Sequence, residues 1–262
     1  MDEQREVPAQ HDTVSRRSTY GLGVEVTPMS ASGVIRVLET PTRAVKLVLN
    51  HNLHSVYFFV KFEWFRSLYA SAAVILIDGW PILRLTAGSP SIENRIGSTD
   101  WLAALQDKWR SGTETRVRRI FVLGGDAESN LRARDKLAAA SSEVTVAGAD
   151  GYFDVSRESD QILTQLSQFK PDLVLVGMGM PLQEKFLFEN LEKLPAAYYA
   201  TVGGAIDYLA DRQPLAPRFI GRLGLEWLWR FLHAPRRLFN RYFVEPFRLL
   251  VLLLPVPWKR RE

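Results

Sequence analysis

The stretch "LVLVGMGMPLQEKFLFENLEKLP", from Leu173 to Pro195, begins as a buried strand, passes two glycines and continues as an amphipathic helix. Its spacing Gly177-x-Gly179 matches the start of a dinucleotide-binding fingerprint, in which glycines let the backbone approach a diphosphate. The third glycine position of that fingerprint holds Leu182, and no acidic residue closes a following strand about 20 residues later. The stretch therefore predicts a strand-turn-helix unit, but it does not favour NAD as the ligand.

The same alternation of strand and helix extends through most of the chain. Short aliphatic or β-branched segments predict six strands, at residues 44–50, 73–78, 117–125, 143–150, 171–179 and 197–204. Helical patterns fall between them, at residues 53–71, in two segments before Gly112, and at 127–141, 156–170 and 181–194. Strands that alternate with helices of about 10 to 15 residues indicate crossover connections and parallel pairing. We therefore predict a doubly wound α/β domain with helices on both faces of a mostly parallel sheet.

The composition limits the chemistry that the protein can perform. Of 262 residues, 47% are hydrophobic, which is enough to fill a sizeable core. The chain has no cysteine, which excludes disulfides, a thiolate nucleophile and cysteine-bearing metal sites, and which suits a reducing, cytoplasmic setting. His51 and His54 can titrate near neutral pH, but no carboxylates stand at ligand spacing beside them. We therefore predict that no metal ion is bound.

The positive charge is concentrated in the C-terminal tail. Residues 218–262 hold ten Lys or Arg and three Glu, a net charge of +7, so the overall charge of +4 leaves −3 for the rest of the chain. Such a tail points to a polyanionic partner, either an anionic membrane surface or nucleic acid. Aromatic and aliphatic residues interleave with the arginines, which favours an interfacial helix on anionic lipid. A helix packed on the body with its arginines in water is the other interpretation.

The pattern divides the chain into three segments. Residues 1–33 are polar, lack the apolar core of a signal peptide, and are expected to form a disordered leader. Residues 34–215 form the α/β domain, and residues 216–262 a basic amphipathic appendage. The longest apolar run, Leu249 to Pro257, is about half of the ~20 residues that a membrane span needs, so we expect contact with an interface without crossing.

Polar side chains at the predicted strand ends are candidates for catalysis. Asp78 follows the apolar run "AAVILI" and is a candidate general base, or alternatively a turn or N-cap aspartate. Asn50 ends the preceding strand and can orient a hydroxyl group or satisfy turn backbone. Arg95, in "ENRIGSTDW", can neutralise a leaving diphosphate by bidentate hydrogen bonds, or it precedes a helix N-cap on the surface.

Glycines recur at five of the six predicted strand ends. There they let backbone N–H groups face a ligand from a helix N-terminus, which favours phosphate, or they simply make tight turns. The glycines that we take as candidate ligand contacts are Gly124, Gly125, Gly177, Gly179, Gly203 and Gly204.

Several motifs in combination identify a resemblance to a known family. "DGW", "FVLGG", "GYF", "PDLVLVGMGMPLQEKFLFEN", "VGGAIDYLA" and "APRFIGRLGLEWLWRFLHAPRRLFNRYF" resemble, in order and spacing, the WecG/TagA/CpsF family of bacterial glycosyltransferases. The resemblance covers roughly Asn50 to Phe243. The chain departs from the family pattern at Trp80-Pro81, where small residues are usual, and at Leu182, where lysine is usual. Both departures lie beside the predicted pocket and bear on the identity of the sugar.

The resemblance implies a Rossmann-like domain that transfers a sugar, with inversion, from a UDP-sugar donor to a sugar on a polyprenyl-diphosphate carrier. The donor is of the UDP-N-acetylmannosamine type, including its uronic acid, or of the UDP-glucose type. Asp78 is then the base, no cofactor or metal is needed, and the protein is peripheral on the inner face of the cytoplasmic membrane. The residues that the resemblance assigns to donor or acceptor binding are Asn50, Arg95, Gly124, Gly125, Tyr152, Gly177, Gly179, Gln183, Glu184, Gly203, Gly204, Arg218, Arg222 and Arg230.

Two other functional classes stay open from the sequence. The altered "DGWP" motif is compatible with a non-catalytic nucleotide-sugar-binding scaffold at the membrane. The basic tail is compatible with nucleic-acid binding, which the many Leu and Val residues among the arginines disfavour, so no nucleic-acid partner is expected. Self-association into a homo-oligomer also stays open.

Overall fold

A parallel six-stranded sheet forms the centre of the protein. The structure, a computed structural model, describes residues 15–214, 216, 220 and 224–254. The sheet order is β4-β3-β8-β7-β5-β6, and every neighbouring pair is parallel. Its strands are β3 (Lys46–His51), β4 (Val74–Ile77), β5 (Arg119–Gly124), β6 (Thr145–Ala149), β7 (Leu173–Gly177) and β8 (Tyr198–Thr201), which follow a short antiparallel pair, β1 (Arg17–Ser18) and β2 (Glu25–Val26). The predicted α/β class is confirmed.

Helices cover both faces of the sheet, as the continuous apolar strands require. Along β3, Leu47 and Leu49 contribute to one apolar core, and Val48 contributes to the other on the opposite face. Because β-strand side chains alternate between faces, a strand that is apolar throughout must be buried on both sides. The helices of the α/β domain are α1 (Ala31–Leu38), α2 (Leu53–Lys61), α3 (Glu63–Ala70), α4 (Trp80–Leu85), α5 (Ser98–Arg110), α6 (Ala127–Ala138), α7 (Val155–Phe169), α8 (Leu182–Asn190) and α9 (Ala205–Leu209).

The predicted helix over residues 53–71 is two helices. Phe62 has extended backbone angles, φ −123° and ψ 129°, and separates α2 from α3. The apolar pattern continues through the break because Phe58 stacks on both Phe62 and Phe65. Periodicity alone therefore could not locate this break.

The expected leader is structured in its second half. Residues 1–14 lie outside the described residues, but β1 and β2 pair with each other, and α1 begins at Ala31 after the N-cap Ser30. Leu22, Val24 and Val26 are buried in the main core. The prediction of a disordered segment over residues 1–33 is therefore wrong from Arg16 onward, because these apolar side chains anchor an otherwise polar segment.

The C-terminal segment is helical and lies against the domain. Three helices, Glu226–His233, Pro235–Phe239 and Glu245–Leu253, are joined in part by a π-helical turn at Asn240–Val244. Leu238 and Leu249 are buried, and Leu249 joins the core that contains α2. In the part of the chain that the structure describes, no helix combines the length and the hydropathy that crossing a bilayer requires.

Candidate active site

Two adjoining cavities open at the carboxyl ends of the strands, the edge at which ligands bind in sheets of this kind. The larger cavity has a volume of about 1080 Å³ and the smaller about 120 Å³. Both are lined by the glycine turns that follow β7 and β8, and both include Arg230 from the C-terminal segment. The strands thus bring together groups that are far apart in the sequence.

Most, but not all, of the predicted site residues line one of the cavities. The small cavity is lined by Asn50, Asp78, Gly179, Gln183, Gly203, Gly204 and Arg230. The large cavity adds Gly125, Tyr152 and Gly177. Gly124, Glu184 and Arg95 line neither cavity. Arg218 and Arg222 lie outside the described residues.

Asp78 is held in a defined orientation at the end of β4. Its backbone N–H donates to the carbonyl oxygen of His51 at 2.9 Å, which continues the pairing with β3. Its carboxylate Oδ2 accepts a hydrogen bond of 2.9 Å from Nδ2 of Asn52. The Asn52 amide cannot turn over, because its Oδ1 accepts from the backbone N–H of Ser55 at the start of α2. The helix cap therefore aims an N–H group at the candidate base.

Asn50 and Gln183 connect neighbouring strand ends. Asn50 Nδ2 donates to the carbonyl oxygen of Thr201 at 3.0 Å, across β3 and β8. Gln183 Oε1 accepts from the backbone N–H of Gly203 at 3.2 Å, while its Nε2 donates to Glu184 Oε1 at 2.8 Å. Both side chains face the small cavity and also hold its walls in place.

The candidate glycines fall into two groups. At Gly179, Gly203 and Gly204 an added Cβ would meet no atom within 4 Å, so these turns are open towards the cavities. At Gly124 a Cβ would lie 2.4 Å from the Gly177 carbonyl, and at Gly177 it would lie 2.4 Å from Ile206 Cδ1. At Gly124 and Gly177, the lack of a side chain therefore lets the neighbouring backbone and the Ile206 side chain pack closely.

Arg230 brings positive charge to the small cavity, which Asp78 also lines. Its guanidinium lies over the ring of Tyr208, 5.5 Å from the centroid, and lines both cavities. Burial by itself lowers the pKa of Arg230, but Tyr208 and Asp78 raise it, and the net direction is upward. The guanidinium therefore stays charged at the mouth of the site.

Arg95 occupies a different position from the one that its predicted role requires. Its Nη1 pairs with Glu226 Oε2 at 3.1 Å, and its guanidinium lies 5.6 Å from the centroid of the Trp80 ring. A parallel bridge between Ile77 and Arg95 fixes its backbone beside β4. In this arrangement Arg95 contacts the C-terminal segment and lines neither cavity, so its contact with a diphosphate stays a prediction.

A buried polar cluster lies beneath the small cavity. Glu184 is completely buried, and its Oε2 has no hydrogen-bond partner among the described residues. Burial raises the pKa of Glu184 to about 7. Burial likewise lowers the pKa of His51 to about 3, so its imidazole is neutral where it stacks on Tyr69. The prediction that Glu184 contacts a ligand is not supported by this position.

Some residues around Asp78 and Arg230 were not predicted from the sequence. Asn52 orients Asp78, and Tyr208, Arg241 and Tyr242 line the large cavity around Arg230. Asn52 carried a local signal, because an Asn before an apolar helix is an N-cap candidate beside a strand end. The other three carried none, because their approach depends on how the C-terminal segment folds back.

The acidic and histidine side chains of the site do not form a metal-ligand set. Within residues 15–214 and 224–254, no three His, Cys, Asp or Glu side chains lie close enough together to hold a metal ion. Guanidinium groups line the cavities: Arg230 and Arg241 line both, and Arg212 lines the larger one. These groups can bind anionic oxygens by charge-assisted hydrogen bonds.

Comparison with known proteins identifies relatives of the chain. The model of the glycosyl transferase WecG/TagA/CpsF family matches residues 19–262. The N-acetylglucosaminyldiphosphoundecaprenol N-acetyl-beta-D-mannosaminyltransferase of Bacillus spizizenii is 28% identical over 176 residues. That match covers 66% of this chain and 65% of the relative, so the chain spans just under two thirds of the relative's length.

The burial of Glu184 predicts a pH-dependent stability. With a folded-state pKa of about 7 against an ordinary 4.5, its contribution is fully present below about pH 4.5 and is lost as the pH rises through 7. Glu184→Gln keeps the acceptor for Gln183 and removes the charge. The free energy of unfolding of the variant relative to wild type should therefore increase by roughly 2–3 kcal/mol between pH 5 and pH 8.

Urea denaturation at the two pH values measures this difference, and Glu189→Gln, on the same helix but exposed, is the control. Parallel pH profiles for wild type and Glu184→Gln would show that Glu184 is ionised in the folded protein and that the burial argument fails.

Proposed function

The chain belongs to the WecG/TagA/CpsF family of glycosyl transferases, and from that premise we propose that it moves a sugar from a UDP-sugar to a sugar on a polyprenyl-diphosphate carrier, with inversion. The product contributes to a bacterial cell-surface or exopolysaccharide chain. The observation that carries the proposal is that Asp78 and Arg230 line the same small cavity, beside a larger cavity of about 1080 Å³. That volume is sufficient for a nucleotide and its sugar.

The proposed chemistry uses an acid–base group on one side and positive charge on the other. Asp78 takes the proton of the acceptor hydroxyl, whose oxygen attacks the anomeric carbon from the face opposite the diphosphate. The bond to the diphosphate breaks, and its electron pair leaves with UDP. Arg230 and Arg241 offset the charge that develops on the diphosphate, and the open turns at Gly179 and Gly203 leave room for its oxygens.

The donor and acceptor are proposed from chemistry and from the relative. The relative's name specifies an N-acetylmannosaminyl donor group and an N-acetylglucosaminyl-diphosphoundecaprenol acceptor. We propose a UDP-N-acetylmannosamine-type donor for this chain, and a UDP-glucose-type donor as the second candidate, because Trp80 and Leu182 differ from the usual family pattern. A screen of UDP-sugars against a synthetic lipid-diphosphate sugar, read by mass spectrometry, separates these donors.

We also propose that the C-terminal segment binds the inner face of the cytoplasmic membrane. Its helices expose large apolar side chains beside arginines, a combination that suits the interface of an anionic bilayer. Leu232 and Phe247 are each 68% exposed, and the other exposed members are Trp227, Leu228, Phe239, Phe243, Leu250, Val251, Leu252 and Leu254. An acceptor carried in the membrane would then reach the cavities from this side.

The first prediction concerns the base. Asp78→Asn should lower turnover by about 10²- to 10⁴-fold, the range for a lost general base, with UDP affinity changed by less than about twofold. UDP release in the presence of the lipid-linked acceptor measures turnover, and calorimetry measures affinity. Asp107→Asn, the same change at an exposed position on α5, should behave as wild type.

Two outcomes would contradict this account. An Asp78→Asn protein that keeps more than about a tenth of wild-type turnover, outside the general-base range, would show that Asp78 is a turn residue. Wild-type protein that binds a UDP-sugar but releases no UDP with any acceptor would favour the non-catalytic scaffold instead.

The second prediction concerns metal ions. On the proposed mechanism guanidinium groups offset the diphosphate charge, so EDTA should leave the initial rate unchanged within about 20%. Removal of a metal ion that stabilised the transition state by about 1.4 kcal/mol would instead slow the reaction about tenfold. Initial rates before and after chelation, and after addition of Mg²⁺ or Mn²⁺, give the comparison. A rate that falls with EDTA and returns with a divalent ion would refute the metal-independent mechanism.

The third prediction concerns lipid binding. Leu232→Ser combined with Phe247→Ser should weaken binding to anionic vesicles by about tenfold or more, because each apolar side chain contributes ~1.5–3 kcal/mol on burial. Moderate salt should weaken binding of the wild type without abolishing it, since apolar burial persists when charge is screened. Sedimentation with vesicles of anionic and neutral lipid measures both effects.

Tyr20→Ser is the matched control, because Tyr20 is equally exposed (66%) but lies in the turn between β1 and β2. If the wild-type protein fails to sediment with anionic vesicles at low salt, the membrane proposal is wrong.

A further inference from the structure

Gly224 and Trp80 form a close contact between the C-terminal segment and the domain. Trp80 is the first residue of α4, two positions after Asp78. A Cβ on Gly224 would lie 2.7 Å from Trp80 Cδ1 and 2.8 Å from its Nε1. Gly224 also has φ +75°, which strains any other residue. The indole edge therefore occupies the space that a side chain at position 224 would need.

An ion pair follows two residues later. Glu226, the first residue of the helix Glu226–His233, pairs with Arg95 at 3.1 Å. The Arg95 side chain is only 14% exposed, and its guanidinium also lies over the Trp80 ring. The Glu226 side chain is 38% exposed, so water screens its half of the pair, whereas the Arg95 guanidinium would lose its carboxylate partner in a mostly buried position if the helix moved away. Trp80, Arg95, Gly224 and Glu226 thus form one cluster, here called the helix anchor.

The helix anchor and Arg230 lie on the same face of one helix. Glu226 and Arg230 are four residues apart, which places them one above the other on the helix surface. Glu226 contacts the outer edge of β4 through Arg95, whereas Arg230 reaches the cavities and the Tyr208 ring. A shift of the helix start would therefore move the Arg230 guanidinium away from Asp78.

We infer that Trp80 and Glu226 are positioning residues for Arg230: they fix the start of its helix on the domain, so that its guanidinium meets the diphosphate of the donor. This inference rests on the proposed function for the identity of the ligand, but not for the anchoring itself. On this inference, Arg95 holds the helix and does not contact the donor directly.

A double-mutant cycle tests the coupling, with UDP as the probe and the full chain as the protein. Arg230→Ala should weaken UDP binding by about tenfold, since a charge-assisted contact is lost. Trp80→Ala and Glu226→Gln should each weaken binding by about five- to tenfold in the wild-type background, but by less than about twofold when Arg230 is already Ala. If the fold-changes in UDP affinity of the single variants simply multiply in the double variants, the inference is overturned. Residues that act through Arg230 should have no further effect once Arg230 is absent.

Hydrogen exchange of residues 226–233 without ligand supplies a readout that does not depend on the proposed function. Trp80→Ala and Glu226→Gln should accelerate exchange in this helix by about fivefold or more, because local opening becomes easier. Gly224→Ala should do the same from the opposite side of the contact, which keeps the test valid if Trp80→Ala does not fold. Unchanged exchange in these variants would overturn the anchor.

Arg84→Ala is the matched control. The Arg84 guanidinium lies 5.4 Å from the centroid of the same Trp80 ring, but Arg84 is exposed and the described contacts do not link it to the C-terminal segment. It should change neither UDP affinity nor exchange. If the wild-type protein binds no UDP but exchange is still faster in the anchor variants, the donor proposal is refuted and the anchoring stands.

Discussion

The close approach of three turns at the carboxyl edge of the sheet is the constraint on which the site depends. The backbone at Gly124 lies against the carbonyl of Gly177, and a Cβ at Gly177 would lie 2.7 Å from the Gly203 carbonyl. Because no side chain projects from these glycines, the strands β5, β7 and β8 can end side by side at the same edge of the sheet. The two turns that follow, at Gly179 and Gly203, then form a common wall for both cavities. A side chain at Gly177 would force these turns apart.

Two carboxylates close to this wall have different surroundings, which suit them to the different roles that we propose. Asp78 lines the cavity and receives an N–H from Asn52, so it can meet a substrate hydroxyl. Glu184 lies beneath the wall with no solvent exposure, and it holds Gln183, which in turn holds Gly203. On the proposed function, Asp78 exchanges a proton with the acceptor, while Glu184 supports the turn.

The sequence allowed the sheet and its polar edge to be predicted because both are local properties. Each strand is an apolar run that ends at a glycine or a polar residue, so the end can be located without knowing what packs on it. The pair β1–β2 was missed because each strand has only two residues and the burial of Leu22 depends on distant side chains. The contact between Arg95 and the C-terminal segment was not predicted for the same reason, since the partner Glu226 lies 131 positions away. Contacts of this kind follow from the path of the chain and have no local pattern.

The C-terminal segment packs one face against the domain and exposes large apolar side chains on the other. Its inward face carries Glu226, Arg230 and Leu249, which bind the domain and complete the cavities. Its outward face carries side chains as exposed as Leu232 and Phe247. Exposed apolar side chains of this size, set beside one another, mark an interaction surface. Because one short segment bears both faces, we propose that a partner on the outward face also restrains the helix that carries Arg230. On the proposed function, membrane binding at the outer surface and charge neutralisation at the cavity would then be coupled through the same helices.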